Sequence, residues 1–430
     1  MGGRERLVHA HASHGTVGVV IALDEAREFV MSQCPALAAG GVACRAAVGL
    51  VLAAPVVAAE DVPPFANSAV DGYAVVASSI AAASTSTPVE MPVVGEVAAG
   101  GHTDRVLQPG EAIRIMTGAP VPAGADAVVM VEQTERLEGG ARVKVFGSVK
   151  LGDAVRGVGE DVRAGTTLYP AGTLVTPAVA GVLASVNAEI VQAVARPRVA
   201  VLSTGDELVA DGSPLEPGQI RESNLTMLLG LVAEAGCTAV DLGIVADDEA
   251  LLESVLRDAV ATCDAVVTSG GVSMGDYDVV KAVLGRIADM SWMQIAIKPA
   301  KPFAFGLLDA PSARRVPVFG LPGNPVSALV SFELLTRPAL RQMAGHKSVD
   351  RPVVEAVSDD GLRRRSDGKL HFMRVFASFG DDGRVHVTSV GAQGSHQLAA
   401  SSLANAIAEV PDGDGVPAGG PVRVMLLSVG

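Results

Sequence analysis

The sequence has few cysteines, a deficit of positive charge and no long apolar run. Its four cysteines form no CxxC pair and show no zinc-ligand spacing, which is typical of reduced cytosolic thiols rather than of a disulfide framework. Lys and Arg number 33 against 47 acids, and the formal net charge of −14 argues against a nucleic-acid coat or an anionic-membrane binder. No apolar run approaches the roughly 20 residues of a membrane span. We therefore expect a cytoplasmic protein without a nucleic-acid or membrane partner.

The composition is that of a globular protein. Of 430 residues, 49% are apolar and 19% charged, and the 48 Gly and 25 Pro stay below the level of low-complexity chains. At roughly 150 residues per domain, the length suggests two to four domains. The N-terminal residues 1–18 carry His9, His11 and His14, and we expect a disordered tail there rather than a secretory signal or a metal site.

The apolar pattern of the first half changes from helical to β-type. Residues 22–32 predict an amphipathic helix, and residues 45–54 predict a second one. Between Glu60 and Arg163, short β-type runs separated by Gly, Pro and Asp indicate a small β domain. These runs are 73–77, 89–97, 112–116, 127–131 and 142–145.

From Arg198 onward, strands alternate with helices. Four strands separated by helical crossovers predict a parallel sheet that is wound on both faces, and residues 292–308 predict a hairpin. After about Gly345 the pattern returns to β.

The sequence therefore predicts a multidomain α/β plus β fold. A central doubly wound parallel α/β domain would be combined with a small β domain inserted in an N-terminal helical and β domain, and with a C-terminal β domain. The predicted boundaries are 1–18 for the tail, 19–58 with 147–195 for the N-terminal domain, 59–146 for the inserted β domain, 196–344 for the α/β domain and 345–430 for the C-terminal domain.

Residues 264–278, DAVVTSGGVSMGDYD, carry the most chemistry. They predict a buried strand that stops in a Gly270-Gly271 turn, where the backbone can approach a ligand closely. Backbone N–H groups in the turn are freed from strand pairing and, with Ser269 and Ser273 beside them, suit an anion such as phosphate. A plain strand-to-helix turn is the alternative.

Polar residues follow four of the predicted strands. Because ligands of open α/β sheets lie outside the carboxyl ends of the strands, these ends predict a single site. The ends are Asp206 with Glu207, Asp247 with Asp248, the turn 269–278 and the segment 320–327.

Other stretches allow a purely structural interpretation. Loop 63–74, PPFANSAVDGYA, could be a turn capped by its own side chains, and IRIMTGAPVP, 113–122, is by itself a strand entering a turn. The basic run RRRSDGKLHFMR, 363–374, is typical of a solvated charged hairpin. GAQGSH, 391–396, is a Gly-rich loop with a hydroxyl and an imidazole.

Seven motifs occur along the chain in one fixed order. They are PPFANSAVDGYA, IRIMTGAPVP, STGDEL, VVTSGGVSMGDYD, IKPAKPFAFG, GLPGNPVSA and QGSH. Together they resemble the molybdopterin molybdenumtransferase family, which includes the C-terminal domain of gephyrin, and the resemblance covers the chain from about residue 22 to residue 427. It implies an enzyme that inserts molybdenum from molybdate into adenylylated molybdopterin, with magnesium, and releases AMP.

The resemblance also implies a homodimer with a shared active site. The N-terminal domain would link the subunits, and the cleft would lie between the α/β domain of one subunit and the Asp-Gly-Tyr loop of the other. Asp71 and Thr117 would come from the second subunit. Molybdopterin adenylyltransferase and molybdoenzymes are candidate partners.

The remaining functional residues are implied residue by residue. Glu207, Asp247 and Asp278 match functional carboxylates, the last two as ligands of Mg²⁺. Lys298 and Lys301 match contacts to molybdate or a terminal phosphate, although two solvated strand-end lysines would fit the bare sequence equally well. Residues implied to bind the oxyanion and the pterin and adenylate phosphates are Arg374, Ser395, Ser269, Gly270, Gly271, Ser273, Pro322, Gly323, Asn324, Pro325 and Ser327.

The chain departs from the family pattern at three positions. Ala66 stands where many relatives have an acid, and Gln294 stands where some have a lysine. Ala300 replaces a glycine in IKPAKP, which predicts a backbone angle that an L-residue tolerates.

Two other functions remain open. The α/β domain resembles molybdopterin adenylyltransferase, although the extra β domains and the Asp71 loop argue against that activity. A non-catalytic scaffold of the same fold is the other alternative, and the intact Asp71, Asp278, Lys298 and Lys301 argue against it.

Overall fold

The computed structural model describes residues 20–271 and 278–428, which form two compact units. One unit contains residues 20–40, 49–53 and 192–428, and the other contains 41–48 and 54–191. The predicted tail, residues 1–18, lies outside the described residues.

The first unit is built on a seven-stranded sheet. Its strands β2, β3, β4 and β7 run parallel, which confirms the predicted parallel sheet. Strands β5 and β6 pair antiparallel, which confirms the predicted hairpin. The order across the sheet is β1-β5-β6-β7-β4-β2-β3, where the strands are β1 (Val20–Ile21), β2 (Arg198–Thr204), β3 (Thr238–Val245), β4 (Ala265–Ser269), β5 (Ala288–Ile295), β6 (Pro302–Asp309) and β7 (Arg315–Leu321).

Helices cover both faces of this sheet because its central strands are apolar on both sides. Val199 and Val201 belong to one core, while Ala200 and Leu202 belong to the other. The predicted doubly wound arrangement is thereby confirmed. The helices are α1 (Leu23–Ser32), α2 (Asn224–Glu234), α3 (Glu249–Thr262), α4 (Val279–Ile287), α5 (Pro325–Ser331), a π-helical turn (Phe332–Thr336), α6 (Arg337–Met343) and α7 (Leu398–Ser401).

A second sheet of the same unit closes into a small barrel. The strand Leu370–Phe379 pairs with both Val385–Ser389 and Ala406–Val410, and Val353–Ser358 and Gly420–Leu426 complete the ring. The short strand Ile297–Lys298 pairs with Leu370–Phe379, with Lys298 opposite His371. Two smaller pairs are Leu208–Val209 with Ile220–Arg221 and Leu362–Arg363 with Gly415–Val416.

The second unit contains a six-stranded sheet. All five predicted β-type runs form strands there, and Thr134–Leu137 is a strand that the sequence did not predict. The order across the sheet is Ala127–Met130, Gly72–Val75, Ala112–Ile115, Val89–Val97, Arg142–Val145 and Thr134–Leu137. The other elements are Val56–Val57 paired with Thr167–Tyr169, Asn67–Ser68 paired with Val155–Arg156, and the helix Pro177–Ser185. A further pair is formed by the strands Ala39–Ala43 and Ile190–Val194, each of which contains a point where the chain passes from one unit to the other.

The predicted helix over residues 45–54 is wrong. Only a single 3₁₀ turn forms, at Cys44–Ala46. Gly49 has a φ of 84°, which ends any helical run, and Leu52 pairs as an isolated bridge with Ala193.

The cysteines are free thiols, and three of them, Cys34, Cys237 and Cys263, are buried. Burial raises the pKa of Cys34 and of Cys237 to about 12, so neither thiol is a nucleophile at neutral pH. Within residues 20–271 and 278–428, no helix is long and apolar enough to cross a membrane.

Gly72, which follows Asp71, touches the neighbouring strand at its backbone. An added Cβ would lie 2.0 Å from the carbonyl oxygen of Val129. We expect Gly72→Ala to destabilise the protein by about 3 kcal/mol because the strands must separate. Gly95→Ala in the same sheet is the control, since its Cβ would find its nearest neighbour at 3.9 Å. Thermal unfolding of both variants checks this, and equal melting temperatures would contradict it.

Candidate functional site

Carboxylates gather at the carboxyl ends of β2 and β3. The backbone N–H of Asp247 donates to Asp206 Oδ1 at 3.1 Å, which joins the two strand ends. Burial, followed by the charges of Asp206, Glu207 and Asp278, raises the pKa of Asp247. The Asp206 carboxylate thus holds the neighbouring strand end. The predicted residues Glu207, Asp247 and Asp278 thus share one electrostatic environment.

Two acids at this edge also cap helices. Asp248 Oδ1 accepts from the N–H of Leu251 at 2.8 Å and begins α3. Asp278 Oδ1 accepts from the N–H of Lys281 at 3.2 Å and begins α4. The capping role fixes the Asp278 carboxyl in place while its other oxygen stays outside the cap.

The Gly270-Gly271 turn follows β4 with backbone angles that only glycine adopts readily. The φ values are 96° at Gly270 and 78° at Gly271, and a Cβ on Gly271 would lie 2.1 Å from Val280 Cβ. A second glycine turn meets it, since a Cβ on Gly323 would lie 3.9 Å from Gly270 Cα. The structure therefore brings the two predicted phosphate-binding turns into contact. Ser273 lies outside the described residues.

The side chains of these turns differ in exposure. Ser269 and Ser327 are buried, as is Pro322, whereas Gly323 and Asn324 are exposed and Pro325 is half-buried. Ser269 Oγ accepts from Asn224 Nδ2 at 2.7 Å, so this hydroxyl faces α2. Asn224 is a residue that the sequence reasoning missed, although it follows Glu222 and Ser223 at the start of a predicted helix.

The Gly-rich loop 391–396 joins the second glycine turn. The N–H of Val326 donates to the Ser395 carbonyl at 3.0 Å. One residue earlier, Gly394 lines a cavity of about 430 Å³. The glycine turns and this cavity are thus linked through the predicted residue Ser395.

The cavity is strongly basic. Its wall includes the predicted residues Lys298 and Arg374, which line the same cavity because Ile297–Lys298 pairs with the barrel strand Leu370–Phe379. Its other lining residues are Pro299, Arg363, Arg364, Arg365, Asp367, His371, Phe372, Met373, Gln393 and Gly394.

Arg374 is buried without a carboxylate partner. Its side chain is among the largest fully buried ones, with 1% of its surface exposed. Its guanidinium donates to Ser401 Oγ at 3.2 Å and to the carbonyls of Ala392 and Gly394 at 3.4 and 3.3 Å. Burial lowers the pKa of Arg374 to about 10, so the group is a cation at neutral pH. Among the described residues no acid forms an ion pair with it, and the cavity is therefore suited to an anion.

The interpretation of residues 363–374 as a solvated hairpin holds only in part, since Arg363 and residues 365–368 are exposed whereas residues 371–374 are buried. The Arg364 side chain is 1% exposed and forms ion pairs with Asp367 at 2.7 Å and Asp412 at 2.6 Å. It also donates to the carbonyls of Lys369, Val410 and Pro411. The sequence could not show this because the partners at 410–412 are distant in the chain.

Asp367 is the acid of the cavity wall. Its carboxylate lies 3.8 Å from Lys298 Nζ, 3.6 Å from Lys369 Nζ and 3.1 Å from His371 Nε2. Desolvation opposes its ionisation, but the hydrogen bond from His371 and the charges of His371, Lys369 and Arg364 lower the pKa of Asp367. The carboxylate therefore stays ionised and offsets part of the positive charge.

Two residues of the IKPAKP segment, Lys301 and Ala300, differ from what the sequence predicted. Lys301 is exposed and is not among the residues that line the cavity, so the structure separates it from the Lys298 site. Ala300 has a φ of 74°, which is the left-handed region, so the expectation of an angle that an L-residue tolerates is wrong. The buried methyl of Ala300 packs in the main core, which offsets part of that strain.

In the second unit, the structure brings Asp71 and Thr117 together. Asp71 Oδ1 accepts from the Thr117 N–H at 2.7 Å and from its hydroxyl at 2.8 Å. The backbone hydrogen bond, then the hydroxyl and the charge of Arg114, hold the pKa of Asp71 below its ordinary value. Both residues were predicted from separate motifs, and they form one carboxylate-hydroxyl pair.

Three family models match the chain in order. They are the MoeA N-terminal region (domain I and II) over residues 21–187, the probable molybdopterin binding domain over 200–342 and the MoeA C-terminal region (domain IV) over 362–427. The combination of a wound α/β domain with these flanking domains defines a class of molybdenum cofactor biosynthesis enzymes.

Curated proteins that match most of the chain belong to the same class of enzymes. Molybdopterin molybdenumtransferase 2 of Mycobacterium tuberculosis is 41% identical over 373 residues, which is 85% of this chain and 89% of the relative. Molybdopterin molybdenumtransferase of Haemophilus influenzae is 37% identical, with 90% and 93% covered. A crystal structure of the molybdopterin biosynthesis moeA protein from Pyrococcus horikoshii OT3 matches with a TM-score of 0.75 at 29% identity, covering 95% of this chain and 100% of that one. The chain belongs to the molybdopterin molybdenumtransferase family.

The negative charge of Asp367 opposes anion binding in the cavity. We expect Asp367→Asn to tighten the binding of a tetrahedral dianion about fivefold, the ratio for the ~1 kcal/mol between charges 4 Å apart in water. Calorimetric titration with molybdate, at low salt, measures this. Asp412→Asn is the control because it also removes a partner of Arg364 but does not line the cavity. Weaker or unchanged binding in Asp367→Asn would contradict the expectation.

Proposed function

We propose that this protein inserts molybdenum from molybdate into adenylylated molybdopterin, with release of AMP. The observation that carries the proposal is the buried guanidinium of Arg374, a residue that has no carboxylate partner in the described chain and is among those that line a cavity with Lys298. Molybdate is a tetrahedral dianion, and cations that are held in place beforehand stabilise such a charge. The acidic chain, with its net charge of −14, needs such a local cluster to hold an anion.

The glycine turns would hold the phosphates of the substrate. Positive φ at Gly270 and Gly271 leaves the backbone bare and able to approach a phosphoanhydride. Gly323 and Asn324 are exposed beside them, and the Ser395 loop connects these turns to the cavity. The substrate would therefore lie along the turns, with its reacting end toward Lys298 and Arg374.

We assign magnesium to the acids at the strand ends. Burial and then the like charges of Asp206, Glu207 and Asp278 raise the pKa of Asp247, and a bound cation would relieve both. Among the described residues, no three acids, histidines or cysteines could hold a metal by themselves. This donor set fits Mg²⁺, which commonly takes one or two carboxylates together with waters and substrate phosphates. Asp247 and Asp278 would hold it, and the ion would supply charge neutralisation as the anhydride breaks.

We further assign the active form to a cytoplasmic homodimer with a shared site. Asp71 and Thr117 form a fixed pair at the surface of the second unit, and the sequence resemblance assigns them to the site of a partner subunit. Asp71 would keep its negative charge there because Thr117 lowers its pKa.

Removal of Lys298 tests the proposed function. We expect Lys298→Ala to lower molybdate-dependent AMP release at least about a hundredfold, because one of the cations that line the cavity is lost. Lys369→Ala is the control, since Lys369 contacts the same Asp367 but is not a lining residue of the cavity. Liberated AMP is measured with adenylylated molybdopterin as substrate. Unchanged turnover in Lys298→Ala would refute the assignment.

Mixing two inactive variants extends this test to the shared site. Lys298→Ala subunits and Asp71→Ala subunits, unfolded together and refolded, would form hybrid dimers with one intact site. Random pairing then restores about a quarter of wild-type activity, because half of the dimers are hybrids with one working site of two. A mixture as inactive as its components would contradict the shared site.

A further inference from the structure

Residues 222–224 cross the carboxyl ends of three adjacent strands. Glu222 Oε1 accepts from Ser203 Oγ at 3.0 Å, at the end of β2, and from the N–H of Leu225 at 2.6 Å. Asn224 Nδ2 donates to Ser269 Oγ, at the end of β4, and to the Gly323 carbonyl, just beyond β7, at 2.7 Å each. Because β2, β4 and β7 are neighbours in the sheet, this segment ties three strand ends together.

The orientation of the Asn224 amide follows from its partners. A backbone carbonyl only accepts hydrogen bonds, so the group that faces the Gly323 oxygen must be the NH₂ of Asn224. The same NH₂ faces Ser269 Oγ, and both of its protons are therefore used. One amide thus bridges the turn after β4 and the turn after β7.

The other end of the amide is unsatisfied. Asn224 is 9% exposed, and its Oδ1 is buried with no hydrogen-bond partner in the described chain. A buried acceptor of this kind costs roughly 1–3 kcal/mol, so stability alone does not account for an asparagine here. What the asparagine provides is the pair of donors that join the two turns.

We propose that Asn224 is a positioning residue that holds the Gly270 and Gly323 turns at the spacing in which they bind the AMP phosphate of the substrate. This inference rests on the proposed function, since it assigns the phosphate to these turns. The amide acts through the turns and not on the reacting atoms. Without it, the two turns lose their only shared side-chain bridge among the described residues, and the backbone hydrogen bond from the Gly270 N–H to the Leu321 carbonyl, at 3.1 Å, is left to hold the turn after β4 against the end of β7.

The test uses AMP as the probe and two variants of the full-length protein. Asn224→Ala removes the bridge, and Asn224→Asp keeps the shape of the side chain but replaces the donor to Gly323 with an oxygen. We expect both to weaken AMP binding at least about tenfold, which is the loss of one to two hydrogen bonds. Molybdate binding, measured separately by calorimetry, should stay within about twofold of wild type, because the amide does not line the cavity.

Asn405→Ala is the matched control. Asn405 also bridges with its amide, accepting from the N–H of Ala377 at 2.6 Å and donating to its carbonyl at 2.8 Å. Its removal should lower the melting temperature while leaving AMP affinity unchanged. If Asn224→Ala does not fold, Asn224→Asp decides the question.

The outcomes separate the two claims. Wild-type protein that binds no AMP would overturn the proposed function and this inference together. Wild-type protein that binds AMP, with both Asn224 variants binding it equally well, would overturn the inference alone. Equal loss of AMP and molybdate affinity in the Asn224 variants would also overturn it, because that result indicates a general structural defect.

Discussion

The burial of Arg374 without a carboxylate is the constraint on which the proposed site depends. A buried cation costs several kcal/mol unless something compensates it, and here only a hydroxyl and two carbonyls do so in the described chain. Several features of the barrel follow from this position: the Gly-rich loop supplies the carbonyls, and the short strand Ile297–Lys298 brings a second cation to the same wall. Asp367 offsets part of the positive charge of this wall when no anion is bound, and its ion pair with Arg364 holds the Asp367 carboxylate in place.

The α/β sheet contributes the other half of the chemistry. Its parallel strands end at one edge, which places the acids after β2 and β3 and the glycine turns after β4 and β7 side by side. Residues 222–224 fix that edge by side-chain bonds to three strands. The contact between Val326 and Ser395 then connects the sheet edge to the basic cavity. The acids proposed to hold a cation and the basic residues proposed to hold an anion therefore occur within one unit of the chain.

The sequence predicted what depends on local pattern and chain order. Alternation of strands and helices predicted the wound sheet, and the position of Asp247 after its strand predicted the acidic edge. Long-range pairings could not be predicted in the same way. The run 363–374 looks solvated until Arg364 meets Asp412, and Asn224 looks like an ordinary first residue of a helix until Gly323 folds against it. Residues 45–54 look helical because their composition suits a helix, but Gly49 adopts a positive φ and Leu52 pairs with Ala193. Ala300 adopts a left-handed angle that its residue type argues against.

The most direct measurement is the position of molybdenum itself. Crystals soaked in molybdate and measured at the molybdenum absorption edge reveal the metal by anomalous scattering, independently of any variant. The predicted result is a peak in the cavity, at a position from which the oxygens of the molybdate accept hydrogen bonds from both the Arg374 guanidinium and Lys298 Nζ. Molybdenum bound elsewhere, with no peak in the cavity that Arg374 lines, would contradict it.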